Sequence, residues 1–482
     1  MANDSALNPG AIALNRFGLG ARPGEPVPTD PKRWLLTQFS QYDPAPAPWA
    51  AQPSSLAVAI ALAEEREHAM NQAASQTAGQ GTNQGTPQTT SQPARQAANK
   101  AVRMEARDTY RDAVNARVLS ALTTSTPFVE RLVHFWSNHF AVSIDKGQVA
   151  AYAGAFEAEA IRPHVLGRFK DMLVAVERHP AMQIFLDQTG SIGPDSVAGM
   201  RAAMRDPAHK RGLNENLARE IMELHTLGVR TGYTQEDVTE FARAMTGWSI
   251  AGAKGPQPGN APPSSFVFRP NVHEPGERTI MGRRYDQAGE GQTLAILHDL
   301  STSPATAQHI ATKLARHFIA DNPPPSAVDD IALAYMRSQG DLPTVYRALI
   351  DTQQAWSPNA VKFKTPWEWT TSALRGLGVS DLGTMQAAPI LTQLGQQTWR
   401  PGSPAGYDDI AASWAAPDAL VRRVEIAQRL SARFGDRTDP RELGQQIMAG
   451  SLSDSTALAV SRAESTSTAV ALLLVSPDFQ RR

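Results

Sequence analysis

The chain contains no cysteine, which removes disulfides, thiolate nucleophiles and cysteine-ligated zinc or iron–sulfur centres. It has no excess of either charge: 46 Lys and Arg stand against 47 Asp and Glu. Runs of roughly five or six like charges are also missing, so there is no electrostatic footprint for a polyanion and no nucleic-acid partner is expected. The longest aliphatic run, Ala469 to Val475, falls far short of the about 20 apolar residues that cross a bilayer, so no transmembrane segment is expected. The opening MANDSALNPGAIALNRFG lacks a basic stretch followed by a long apolar one, so no signal peptide is read there. The chain is then either cytoplasmic or a trimmed mature form of a periplasmic or secreted protein.

What is present is helical periodicity. Trp34, Leu35 and Phe39, then Phe128, Leu132 and Phe135, then Val165, Phe169, Leu173 and Val176 recur at helix spacing, which predicts a mainly α protein. Thr234 three residues before Asp237 reads as a capped helix start. Ser303 before Pro304 reads as another. Residues 68–100 are dominated by Gln, Ala, Thr, Gly, Asn and Ser and predict a disordered insertion, because such a stretch buries too little to offset its ordering entropy. The expected organisation is one large helical domain: 1–67 as the N-terminal part of the core, 68–100 as the insertion, 101–252 as the central core carrying the site, 253–290 as an irregular segment with a small β-hairpin near 266–285, and 291–482 as the C-terminal helical part.

NENLAREIMELHTLGV, 214–229, reads as a helix with polar groups set beside its leucines. On a regular helix measured from Asn216, Glu220 falls at about 40° and Glu223 at about 340°, edging the apolar stripe, with Arg219 next to Glu223. Two carboxyls at the edge of a core, one of them paired to arginine, are arranged to separate their pKa values for acid/base work. They also suit a divalent metal or a purely structural ion network. His225 lies about 140° from Glu220 and cannot share an ion with it on a regular helix; its place before Gly228 suits a bond to a free helix-end carbonyl. In HFWSNHFAVS, 134–143, His134 and Asn138 share one face and Trp136 and Phe140 another, which fits a site wall with an aromatic platform or a core helix with hydrogen-bonded tips. His273 stands in the irregular segment beside Glu274. KFKTPWEWTTSALRGLG, 362–378, is basic then aromatic and suits a groove wall. GxSxG, Walker A, dinucleotide and EF-hand signatures are absent.

These stretches, with LNRFGLGARPGE, GYTQEDVTEFARAMTGWS, HEPGERTIMG, ATKLARHFIADNPP, LGQQTWRPGSPAGYDD and SPDFQRR, resemble the bacterial family catalogued as domain of unknown function 1800, in its order and over nearly the whole chain. The family pattern is matched at Asn138, His139, Asn214, Glu215, Asn216, Arg219, Glu220, Glu223, His225, Gly232, Tyr233, Trp248, His273 and Lys364, and departed from at Glu274 and Tyr407. The resemblance implies an α-helical, often exported protein, frequently encoded beside an uncharacterised family of sulfatase-like look, which is a possible partner; it supplies no reaction.

The leading expectation is a hydrolase of a glycan or similar polymer. Glu220 is its general acid or base, Glu223 with Arg219 the charged partner, and His139 or His273 orients the substrate; Trp136, Asn138, Asn216, Tyr233 and Trp248 form the binding surface. A metal-dependent enzyme using His139, His273 and Glu220 or Glu223 is the first rival, with a divalent metal as cofactor. A non-catalytic binding or assembly module is the second.

Overall fold

The computed structural model describes residues 7–78, 92–205, 212–253, 259–435, 439–448 and 451–482. Its helices start where side chains can satisfy their first free amides. Thr234 and Asp237 form a reciprocal capping box ahead of Gln235–Met245, and Ser303 caps Pro304–Phe318, as the sequence predicts. A second box, Thr365 with Glu368, opens Pro366–Gly376. The fold is mainly α, with two small antiparallel sheets among the described residues.

The segment expected to hold one hairpin contributes to both sheets. Trp248–Ile250 pairs with Phe266–Phe268, and Arg278–Ile280 with Arg283–Tyr285. Met281 and Gly282 turn the second pair at φ values of 49° and 77°, both in the left-handed region that a tight hairpin requires.

The low-complexity stretch departs from its expectation. Residues 68–78 continue the helix Ser55–Ala78, and 92–100 begin the helix Gln92–Thr123, which packs against it. Alanine and glutamine are good helix formers, and Ala94 and Ala98 are buried, so a polar composition was a poor guide to disorder there. Residues 79–91 lie outside the described residues.

Two large apolar clusters make most of the core of the described residues, beside a small third one of Ala11, Leu14 and Ala21. One gathers around Pro127–His139, Phe169–Arg178 and Pro304–Phe318. The other joins Gln92–Thr123, Pro366–Gly376, Pro417–Phe434 and Thr466–Val475. Among the described residues no helix is long and apolar enough to cross a membrane.

Candidate functional site: a cationic cavity between the two cores

The polar helix is regular only at its start. Asn216–Glu220 is α-helical and Ile221–His225 is a π turn, whose i to i+5 bonding shifts every later side chain around the axis. Arg219 therefore pairs with Glu215 at 3.1 Å rather than with Glu223, the favourable order of glutamate four residues before arginine. Glu215 also accepts from Gln235 and Thr239 at 2.8 and 2.6 Å. Asn214 donates to the carbonyls of Leu186 and Asp187. His225 departs from its expected capping role: its Nδ1 lies 2.8 Å from Glu177, with both side chains buried. The helix-end carbonyls are instead met from other helices, by His139 Nε2 on His225 O at 3.1 Å and by His309 Nε2 on Leu224 O at 3.0 Å.

Glu220 and Glu223 remain partly exposed. Burial raises the Glu220 pKa, with Glu223 adding to the rise and His225 opposing it. Burial and Glu223 together raise the phenol of Tyr233. The remaining predicted residues scatter. Trp136 and Trp248 are 0% and 1% exposed, so they present no stacking face to a substrate; the Trp136 indole donates to the Tyr346 hydroxyl at 2.6 Å. Asn216 is exposed at the start of the helix. His273 donates through Nδ1 to the Thr246 carbonyl at 2.8 Å, away from the partners of His139. Among the described residues no three His, Asp or Glu side chains are gathered to hold a metal ion.

A hollow walled by both large apolar clusters lies elsewhere among the described residues. It is a cavity of about 340 Å³ with Phe135 from one cluster and Leu19, Trp367 and Trp399 from the other in its wall. Of the predicted site residues only Asn138 reaches it. Asn138 fixes the rim by reciprocal bonds, its amide donating to Tyr407 O at 2.8 Å and accepting from Tyr407 N at 2.7 Å.

The polar wall comes mainly from Pro304–Phe318, which places His309, Lys313, Arg316 and His317 on the cavity at helical spacing. His317 Nδ1 lies 2.5 Å from Asp409, so the proton between them sits on Nδ1 and Nε2 keeps its lone pair. Nε2 is buried without a hydrogen-bond partner. Burial lowers the His317 pKa against the opposing pull of Asp409, leaving the ring neutral at neutral pH. Burial would raise the Asp409 carboxyl, but His317 and Lys362 outweigh it and bring it to about 2.

Most charges around the cavity are answered. Arg117 pairs with Glu157 at 2.7 Å and lies over the Trp367 ring, 4.2 Å from its centre. Arg131 and Arg482 share Glu368 at 2.5 and 2.7 Å. Two cations differ. Among the described residues Arg316 meets only the Asp321 carbonyl, at 3.2 Å, and the Lys313 amine makes no hydrogen bond or ion pair. Burial, reinforced by Arg316 and opposed by Asp409, brings Lys313 down to about 8. Burial and Lys313 together lower His309 to about 4. The cavity thus carries neutral imidazoles and unanswered positive charge.

A second constellation, Ser55 with His179 and Glu159, lacks the chemistry of a nucleophile. Ser55 Oγ is 2.9 Å from His179 Nε2, but His179 Nδ1 accepts from the Ala181 amide at 3.1 Å. Nε2 therefore carries the proton and cannot take one from the serine.

A family model described as "Protein of unknown function (DUF1800)" matches residues 12–481. No curated protein and no solved structure matches the chain.

Proposed function

The chain belongs to the DUF1800 family, whose description carries no reaction, and from the cavity we propose that it is a hydrolase of a small anionic substrate. The observation that carries this reading is the His317–Asp409 pair lining a hollow that also holds the unpaired Lys313. Asp409 fixes the tautomer, and the His317 Nε2 lone pair takes a proton from the attacking water. Lys313 and Arg316 hold the substrate's negative group and the charge that develops on the reacting oxygen. A cavity of about 340 Å³ suits a molecule at the small end of the drug-sized range.

The test is turnover of a panel of carboxylate-bearing esters together with phosphate and sulfate esters. His317→Asn and Asp409→Asn each lower the rate about a hundredfold or more while the protein stays folded, in line with the usual contribution of a positioned base. Wild-type rates in either variant would rule the dyad out.

A second reading keeps the carboxylate pair for a glycan or similar polymer at the surface. It is favoured by the raised pKa of Glu220 beside Glu223, as a general acid requires. Under that reading Glu220→Gln abolishes turnover and His317→Asn does not.

A further inference from the structure

A base and a cationic clamp account for water attack, but they do not require an amine stripped of every partner. Lys313 has three donors and uses none of them on the described protein. The acid that acts on it, Asp409, is already held by His317 at 2.5 Å and Lys362 at 3.2 Å. The charged and titratable groups around the amine are Asp409 and Arg316, which act on it directly, and His139 and His309, on which it acts in turn. Asp409 is the anion among these; Asp408, which accepts from Ser413 at 2.8 Å, and Glu368, shared by Arg131 and Arg482, also line the cavity. A lysine set in a pocket beside another cation has its pKa lowered, here to about 8, and the neutral amine is a nucleophile toward carbonyl carbon.

We propose that Lys313 forms an imine with the aldehyde or ketone group of a small ligand whose anionic end rests on Arg316. The proposal rests on the cavity being a ligand site and does not depend on hydrolysis by His317. The Lys313 nitrogen lone pair adds to the carbonyl carbon, and the carbonyl oxygen takes up a proton to give a carbinolamine. Uptake of one further proton and loss of that oxygen as water leave a protonated imine, so one amine, one carbonyl and one proton give one protonated imine and one water with no change in oxidation state. The neutral ring of His317, on the same helix face, is placed to shuttle the proton.

Pyridoxal 5′-phosphate, which joins an aldehyde to an anion, is the probe. The full chain is incubated with it at pH 8 and treated with borohydride, whose hydride adds to the imine carbon and fixes a secondary amine; peptide mass spectrometry then locates the label. At that pH Lys313 offers on the order of a hundredfold more neutral amine than an ordinary lysine. The expected result is rapid labelling of Lys313, ahead of exposed Lys32 and Lys100, with a rate that rises through pH about 8 and slows when inorganic phosphate competes. Lys313→Arg and Lys313→Gln should both abolish the fast label with an unchanged circular-dichroism spectrum. Labelling of Lys313 no faster than Lys32 would overturn the imine. If phosphate nonetheless raises the melting temperature of the wild type and not of Lys313→Gln, the anion site stands and the imine alone fails.

Discussion

The imidazole of His225 and the carboxylate of Glu177 lie 2.8 Å apart with neither side chain reaching solvent. The histidine that ends the polar helix is therefore a brace between two helices. Its removal strands a buried carboxylate, which typically costs about 3–5 kcal/mol. His225→Ala is expected to lower the melting temperature by many degrees, as measured by thermal unfolding; a shift of only a degree or two would show that the pair contributes little.

Lys313 carries the opposite sign. Its folded pKa of about 8 lies below the ordinary 10.5, so the unfolded chain binds more protons between those values and stability rises with pH across that window. The penalty is full below pH 8. Lys313→Met should stabilise the protein at pH 7 by on the order of 3 kcal/mol, and the gain should fade as the pH approaches 10.5. Urea unfolding at both pH values checks this.

Glu220 shows the acid form of the same logic. Its raised pKa means that the folded state holds the proton more tightly, so stability is lost as pH rises through the folded value. Glu220→Gln should leave the protein as stable as before, or slightly more so, at pH 7. If the cavity is the reaction centre, this variant keeps turning over substrate; loss of activity with an intact fold would move the chemistry to the polar helix.

Gly406 adopts φ of 85°, and a Cβ there would stand 2.2 Å from the Asn138 carbonyl oxygen. Gly406→Ala must push the rim loop off the Pro127–His139 helix. The expected result is weaker ligand binding with a modest loss of melting temperature, measured by calorimetric titration. Unchanged affinity would show that the Asn138–Tyr407 clasp does not shape the cavity.

Local chemistry was legible in the sequence and long-range assembly was not. Thr234 and Ser303 announced their helices because a cap needs only residues within one turn. The expected pairing of Arg219 with Glu223 failed because the angles assumed a regular helix past Glu220, and no residue type in IMELH marks a π turn. Trp136 looked like a platform, but a tryptophan at helix spacing fits a core equally well, and its indole found Tyr346, 210 residues away. The cavity draws on stretches near 135, 313, 367 and 408, whose meeting no period predicts. Two traces were visible: the basic-then-aromatic run at 362–378, and the Lys, Arg and His of ATKLARHF flanking an apolar stripe.

The most direct test of the cavity as the working site is a thermal-shift titration with small carboxylates and inorganic phosphate on the wild type, Lys313→Gln and Glu220→Gln. Saturable stabilisation of the wild type and Glu220→Gln, absent in Lys313→Gln, is the predicted result. Stabilisation that survives in Lys313→Gln and disappears in Glu220→Gln would contradict it.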